Sequence, residues 1–273
     1  MINIQSLKLI YGTAWKGAKT TGLVKQAVAA GFFAIDTANQ PKHYSESLVG
    51  EALLQLQATG VHRQQLFLQT KFTPVDGHDE NIPYNPSEDY TTQVLTSFHS
   101  SLKHLHTDYL DSYLLHGPYV AVGLSDADWQ VWQAIESLYD SGQAKLIGVS
   151  NVNIKQLELL TNHARIKPMV VQNRCFASYG WDKQVREFCC ANDIIYQGFS
   201  LLTANLPVLE SAAVSNLANH YNKTPAQVIF RFAQQLGILP LTGTTDLQHM
   251  REDLHLDNFT LTEEDKMMIG KLS

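Results

Sequence analysis

Four side chains in the first half of the sequence are of types that move protons or attack carbonyls: Asp36 in AIDTA, Tyr44 in HYSES, Lys71 in LQTKF and His116 in LLHGP. Carboxylate, phenol, ammonium and imidazole are common general acids and bases, and a lysine can also form a Schiff base with a carbonyl. Each has a plainer reading as well. Asp36 can cap a following helix, Lys71 can carry its ammonium to water, His116 can be a hydrogen-bonded core imidazole, and Tyr44 alone is an amphipathic aromatic. Position argues against four coincidences. Asp36, Lys71 and His116 fall at the ends of successive short apolar runs, and polar or aromatic residues end the other runs: Trp15, Ser150 with Asn151, Gln172, Ser200 and Thr242.

Those runs number eight: Leu7–Ala14, Phe32–Ala38, Leu66–Phe72, Tyr109–His116, Lys145–Asn151, Met169–Arg174, Ile194–Ser200 and Gly237–Gly243. They are short and nearly continuous in apolar residues, as strands buried on both faces are. Helical spacing fills the gaps. Leu23, Ala27 and Ala30 precede Gly31; Val94, Phe98, Leu102 and Leu105 share a face; Trp129, Trp132 and Ile135 run towards a capping Gly142; Thr224-Pro225 opens a helix to about Leu236. Strand alternating with helix eight times predicts an α/β fold, a (β/α)8 TIM barrel forming a single domain over 1–273, with a doubly wound sheet as the alternative. In a barrel the loops at the C-terminal strand ends converge, so the run ends gather at one mouth.

Composition narrows the function. The 273 residues are 44% apolar and 17% charged with a net charge of −6, which suits a folded enzyme and not a basic nucleic-acid platform. No apolar run is long enough for a membrane helix, and MINIQSLKLIYG lacks the features of a signal peptide. Three cysteines, Cys175, Cys189 and Cys190, cannot all pair, which points to a reducing cytoplasm. His104 and His106 lie two apart on a predicted helix and face different sides, and no other metal-ligand spacing occurs, so no metal is expected.

Ordered motifs carry a resemblance. GTAW, AIDTA, HYSESLVGEAL, LFLQTKF, YLDSYLLHGP, KLIGVSN, VVQN, TPAQVIFRFA and HMREDL follow one another from Gly12 to Leu254, and together they resemble the aldo-keto reductases, carbonyl reductases built on this barrel. The resemblance implies reduction of an aldehyde or ketone, a small-molecule carbonyl, by a reduced nicotinamide cofactor. It implies a catalytic set of Asp36, Tyr44, Lys71 and His116: Tyr44 as general acid, its pKa lowered by Lys71, Lys71 held by Asp36, and His116 orienting the carbonyl. It assigns Ser150, Asn151 and Gln172 to the carboxamide, and Phe199, at a position usually tyrosine, to the face of the nicotinamide. Ser200 to Asn205, including Leu202, would wrap the pyrophosphate; Thr242, Gly243, Thr244, His249, Glu252 and Asp253 would surround the adenosine. NADP(H) is favoured over NAD(H) by family habit, although the usual lysine and arginine for a 2′-phosphate are replaced by LPLTGTTD and His249. The family's usual state is a monomer. A nucleotide-binding sensor of the same fold, with little or no catalysis, is the alternative; a Schiff-base aldolase would have no use for the carboxamide trio.

Three departures set further expectations. Tyr44 lies eight residues after Asp36 where five is usual, so Asn39–His43 (NQPKH) must bulge. The sequence stops at Ser273, without the C-terminal loop many members carry, which implies an open pocket shaped by Thr73–Tyr90 and Gly117–Asp126, with Trp15, Phe72 and Tyr84 as walls. Arg174 stands where an acid is common, and either meets an anionic substrate or joins a surface ion pair.

Overall fold

All eight runs fold as strands, each shorter than its apolar run, in a computed structural model that describes residues 3–272. They are β1 Ile10–Gly12, β2 Ala34–Asp36, β3 Phe67–Phe72, β4 Ser112–Leu115, β5 Ile147–Ser150, β6 Val170–Arg174, β7 Ile195–Phe199 and β8 Leu239–Thr242. Every strand runs parallel to its neighbours in chain order, and β1 pairs with β8 through Ile10–Leu241 and Tyr11–Thr242. The sheet is a closed barrel, not the doubly wound alternative.

One long helix follows each of the first six strands: α1 Thr20–Ala30, α2 Glu46–Ala58, α3 Tyr90–His104, α4 Asp126–Asp140, α5 Ile154–His163 and α6 Lys183–Ala191. Three, α7 Leu206–Leu209, α8 Ala212–Tyr221 and α9 Pro225–Gln235, fill the return from β7 to β8, and α10 Leu247–Leu254 and α11 Glu263–Gly270 follow β8. Local chemistry sets their ends. Gly31 takes φ 115° to close α1, a conformation costly for any side chain with a Cβ. Thr224 and Gln227 form a reciprocal capping box at the start of α9, with Pro225 in the first turn. Helix α4 is capped by Ser141, and the expected Gly142 takes its positive φ one residue later.

The period-two pleat sorts the strand residues into two populations. Tyr11, Ile35, Leu68, Phe72, Tyr113, Leu115, Val149 and Val171 face outward into the layer shared with the helices. Ile10, Ala34, Phe67, Leu114, Val170, Leu239 and Leu241 face inward and pack with Ile4, closing the N-terminal end of the barrel. Each large side chain buried there contributes about 1.5–3 kcal/mol. The plug keeps water out from below, so polar groups higher in the barrel must find partners among themselves.

Candidate active site

Asp36 and Lys71 are those polar groups, both on the inward parity near the tops of β2 and β3. Lys71 Nζ donates to Asp36 Oδ1 and Oδ2 at 2.7 Å each and to the Thr37 carbonyl at 2.8 Å. Three acceptors use all three ammonium hydrogens, and Lys71 has no solvent exposure, so it is poorly placed to form a Schiff base. Burial pulls its pKa down, and the contact with Asp36 works against that pull.

A belt of amides surrounds the pair. Gln69 and Gln172 donate through Nε2 to Asp36 Oδ1 at 2.7 and 3.1 Å, and both also donate to Gln197 Oε1 at 2.8 Å. Gln197 returns a bond to Gln69 Oε1 at 3.0 Å. Sequence reasoning singles out Gln172 and misses Gln69 and Gln197. The available signal is parity: Gln69 precedes Lys71 by two residues, on the same face of β3.

The bulge before Tyr44 is pinned at several points. The Gln40 carbonyl accepts from the N–H groups of His43 and Tyr44 at 3.1 and 3.0 Å. Asn39 Nδ2 donates to the Ser97 carbonyl at 3.0 Å and Gln40 Nε2 to the Gly77 carbonyl at 2.6 Å. The chain therefore doubles back, placing the Tyr44 ring centroid 5.4 Å from Lys71 Nζ and 6.0 Å, edge-on, from that of His116. No described residue hydrogen-bonds the Tyr44 hydroxyl. Burial and the charge of Asp36 raise its pKa, the reverse of the expected lowering by Lys71. The ammonium's charge is matched by Asp36, so desolvation of the phenolate decides the direction.

His116 follows β4 on the inward parity, with Nδ1 2.7 Å from Thr73 Oγ1. Thr73 is buried, and Nδ1 is the only acceptor its hydroxyl reaches among the described residues, so the hydroxyl donates and the imidazole hydrogen sits on Nε2. Burial holds the His116 pKa well below the usual imidazole value, with the charges of Lys71, His78 and His43 pushing the same way. The ring is thus a neutral hydrogen-bond donor. Thr73 is itself fixed, its carbonyl accepting from Tyr84 Oη at 2.8 Å and His78 Nε2 at 3.0 Å. Nothing in the sequence pattern points to Thr73.

The barrel mouth opens into a cleft of about 900 Å³, with Tyr44 and His116 at one end and Thr242, Gly243 and Thr244 at the other. Between them, Asn151 (φ 55°) donates through Nδ2 to the His116 carbonyl at 2.8 Å and to Ser150 Oγ at 3.1 Å. Asn151 Oδ1 is left over; so is Gln172 Oε1, because that amide's nitrogen serves Asp36 and Gln197. Two free acceptors near the Phe199 ring suit the NH2 of a primary carboxamide on a flat heterocycle. Beyond them Ser200 takes φ 57°, and the N–H groups of Leu201, Leu202 and Thr203 have no partner among the described residues. A turn that presents successive free N–H groups suits an anion such as a pyrophosphate. Lys16 lines the same end and donates to the Gly243 carbonyl. The donor set therefore fits a nicotinamide dinucleotide.

Of the expected walls, Trp15 (φ 61°) lines the cleft at its rim, 74% exposed, its ring 3.9 Å from that of His43. Other expected residues lie elsewhere. Phe72 and Tyr84 do not wall the cleft: they are buried and stack on each other at 5.3 Å behind it. Phe72 adjoins inward-facing Lys71, so the pleat turns it outward. His249, Glu252 and Asp253 are also outside the cleft, on α10. Asp253 is buried against the outward side of β8, accepts from Thr242 Oγ1 at 2.8 Å, and has its pKa pushed up to about 6 by burial. Glu252 accepts from Gln248 Nε2, and the backbone N–H of His249 donates to the capping Asp246. Among the described residues no cluster of three or more His, Cys, Asp or Glu is placed to hold a metal ion.

Known proteins share this fold. A family model described as "Aldo/keto reductase family" matches residues 8–273. A glyoxal reductase of Bacillus subtilis is 32% identical over 257 residues, covering 94% of this chain and 84% of the relative. An NAD/NADP-dependent indole-3-acetaldehyde reductase of Schizosaccharomyces pombe is 33% identical over 255 residues, covering 91% and 82%. Among solved structures, an aldo/keto reductase from Brucella melitensis superposes with a TM-score of 0.82 at 29% identity, over 97% of this chain and 95% of that one. A Bombyx mori aldo-keto reductase in complex with NADP gives 0.79 at 25% identity, over 97% and 88%.

Proposed function

Since the chain belongs to the aldo/keto reductase family and is an NAD(P)H-dependent oxidoreductase acting on small carbonyl compounds, we propose that it reduces aldehydes or ketones to alcohols, with Tyr44 as general acid. The observation that carries this reading is the meeting, in one cleft, of an unpartnered tyrosine hydroxyl, a neutral imidazole donor and two free amide acceptors. When bound, the reduced nicotinamide supplies the hydride.

The chain's own residues do the rest. His116 Nε2–H donates to the carbonyl oxygen, which orients the substrate and draws charge onto that oxygen. Tyr44, kept a phenol by its surroundings, gives its proton to the oxygen as negative charge develops there. Lys71 Nζ lies 5.4 Å from the Tyr44 ring centroid, so its ammonium, although paired with Asp36, offsets part of the cost of the phenolate left behind until the proton is replaced. Asp36 and the amide belt hold Lys71 at that point. Ser150, Asn151 and Gln172 bind the carboxamide, Phe199 lies against the ring, and Ser200 to Thr203 receive the pyrophosphate.

We take NADP(H) as favoured over NAD(H), supported by the neighbour in complex with NADP. The reading also covers a single domain over 1–273 and a cytoplasmic monomer; three free thiols support the reducing compartment. Following the absorbance of NADPH and NADH separately, with a panel of aldehydes, tests it. Turnover that is faster with NADPH is expected. Binding of either nucleotide without any turnover would favour a sensor.

A further inference from the structure

Arg174 ends β6 two residues beyond Gln172 and on the same parity, so it rises from the inner rim about 7 Å above the carboxamide-binding layer. Its guanidinium carbon lies 5.5 Å from the Phe199 ring centroid and 5.8 Å from that of Phe176. Arg63, Arg165 and Arg231 each meet a carboxylate, whereas no described carboxylate reaches ion-pair distance of Arg174 and its guanidinium hydrogen-bonds no described residue. Among the described residues the surface ion pair is therefore absent. Asp182, the acid that lines the neighbouring recess, is engaged by Asn173 Nδ2 and Tyr196 Oη at 2.8 Å each.

That recess, about 630 Å³, shares Asn151, Arg174 and Phe176 with the main cleft and continues over Tyr119 and Tyr179. Arg174 thus sits where the reacting end of the cleft opens into a second chamber. Strand β6 is two strands from β4, and the register Leu115–Val149–Val171 sets Arg174 two residues higher than His116. Strand spacing and rise put the two Cα atoms on the order of 12 Å apart. A substrate carbonyl at His116 and a second group at Arg174 would be separated by a short carbon skeleton, running past aromatic rings.

We propose that Arg174 is the specificity determinant for carbonyl substrates that also carry a carboxylate. This rests on the carbonyl-reducing reading of the cleft. A guanidinium fork matches a carboxylate through two parallel N–H bonds, and this one is already turned to the cleft with no competing acid. Among the described residues Arg174 is the only lysine or arginine lining the recess, and a single guanidinium suits a singly charged carboxylate better than a phosphate dianion. The flanking rings limit its rotation, which lowers the entropy lost on binding.

The test compares 4-formylbenzoate with its methyl ester, which differ in charge at one end only, using the full chain with NADPH. Wild type should have the higher kcat/KM for the acid. Arg174→Met should lower the acid-to-ester ratio of kcat/KM roughly tenfold to a hundredfold, mainly through KM for the acid, and Arg174→Lys should restore part of it. Fluorescence titration of NADPH separates the other role open to this cation: if Arg174→Met weakens nucleotide binding and leaves the ratio unmoved, Arg174 serves the cofactor and the proposal fails. Turnover of the ester with no preference for the acid overturns the Arg174 assignment alone. Turnover of neither aldehyde with either nucleotide overturns the carbonyl-reducing reading, and this inference with it.

Discussion

Lys71 and Asp36 meet through both carboxylate oxygens, each at 2.7 Å, in a barrel interior where neither residue exceeds 2% exposure. A buried ion pair of this kind is costly to break from one side, because the remaining charge is left without solvent or partner. Lys71→Met should therefore cost both stability and turnover. Thermal unfolding separates the effects: the double variant Asp36→Asn with Lys71→Met should recover much of the melting temperature and none of the activity. Recovery of activity would mean the pair only supports the fold.

Thr73 fixes the tautomer of His116, so Thr73→Val should lower kcat roughly tenfold, less than the loss of an acid–base group itself, because Thr73 acts only through His116. Thr73→Ser, which keeps the hydroxyl, should restore it. Proton NMR of the imidazole can check the tautomer directly; an Nε2–H signal unchanged in Thr73→Val would remove Thr73 from this role.

The pH profile follows from two shifted groups. His116 is held well below the usual imidazole value of about 6.5 and stays neutral throughout the range from about pH 6 to 8. Tyr44 is raised, so it remains protonated over the same range. Reduction should then be flat in kcat/KM across that interval. A break near the ordinary imidazole value would show His116 titrating in the free protein.

Asp253 gives a stability prediction with a definite sign. Its pKa is about 6 in the folded chain, against about 4 when unfolded. Between those values the folded state holds a proton that the unfolded state releases, so stability falls as pH rises through the window. Asp253→Asn keeps an acceptor for Thr242 and removes the titration. It should raise the melting temperature above pH 6 by the equivalent of about 3 kcal/mol, with the gain vanishing towards pH 4. An equal gain at both pH values would mean the carboxylate is not the cause.

Much of this is legible in the sequence because the strands of a parallel barrel are buried on both faces and stand out as apolar runs. All eight can be found this way; only their ends run too long, since the apolar run continues into turns that no longer pair, as from Leu7 to Leu9 before β1. The polar run ends mark the mouth for the same geometric reason. Side-chain direction is less accessible. Phe72 is expected as a pocket wall, yet it adjoins inward-facing Lys71, and adjacency in a strand means opposite faces. Tyr84 reaches the Thr73 carbonyl from a long loop, a contact that no periodicity encodes. The α10 residues depend on how that helix sits: packed against α1 and α9, it turns Asp253 towards Thr242 and away from the cleft. The acidity of Tyr44 depends on whether Lys71 has charge to spare, which only the Asp36 contact decides.

The most direct test of the account is the Tyr44→Phe variant, measured for NADPH-dependent aldehyde reduction beside nucleotide binding. Removing the hydroxyl takes away the proton donor and leaves the cleft's contacts intact. Binding of NADPH should be unchanged, while kcat falls by roughly two to four orders of magnitude. Turnover equal to wild type would contradict the assignment of Tyr44 as the acid and, with it, the mechanism built on this cleft.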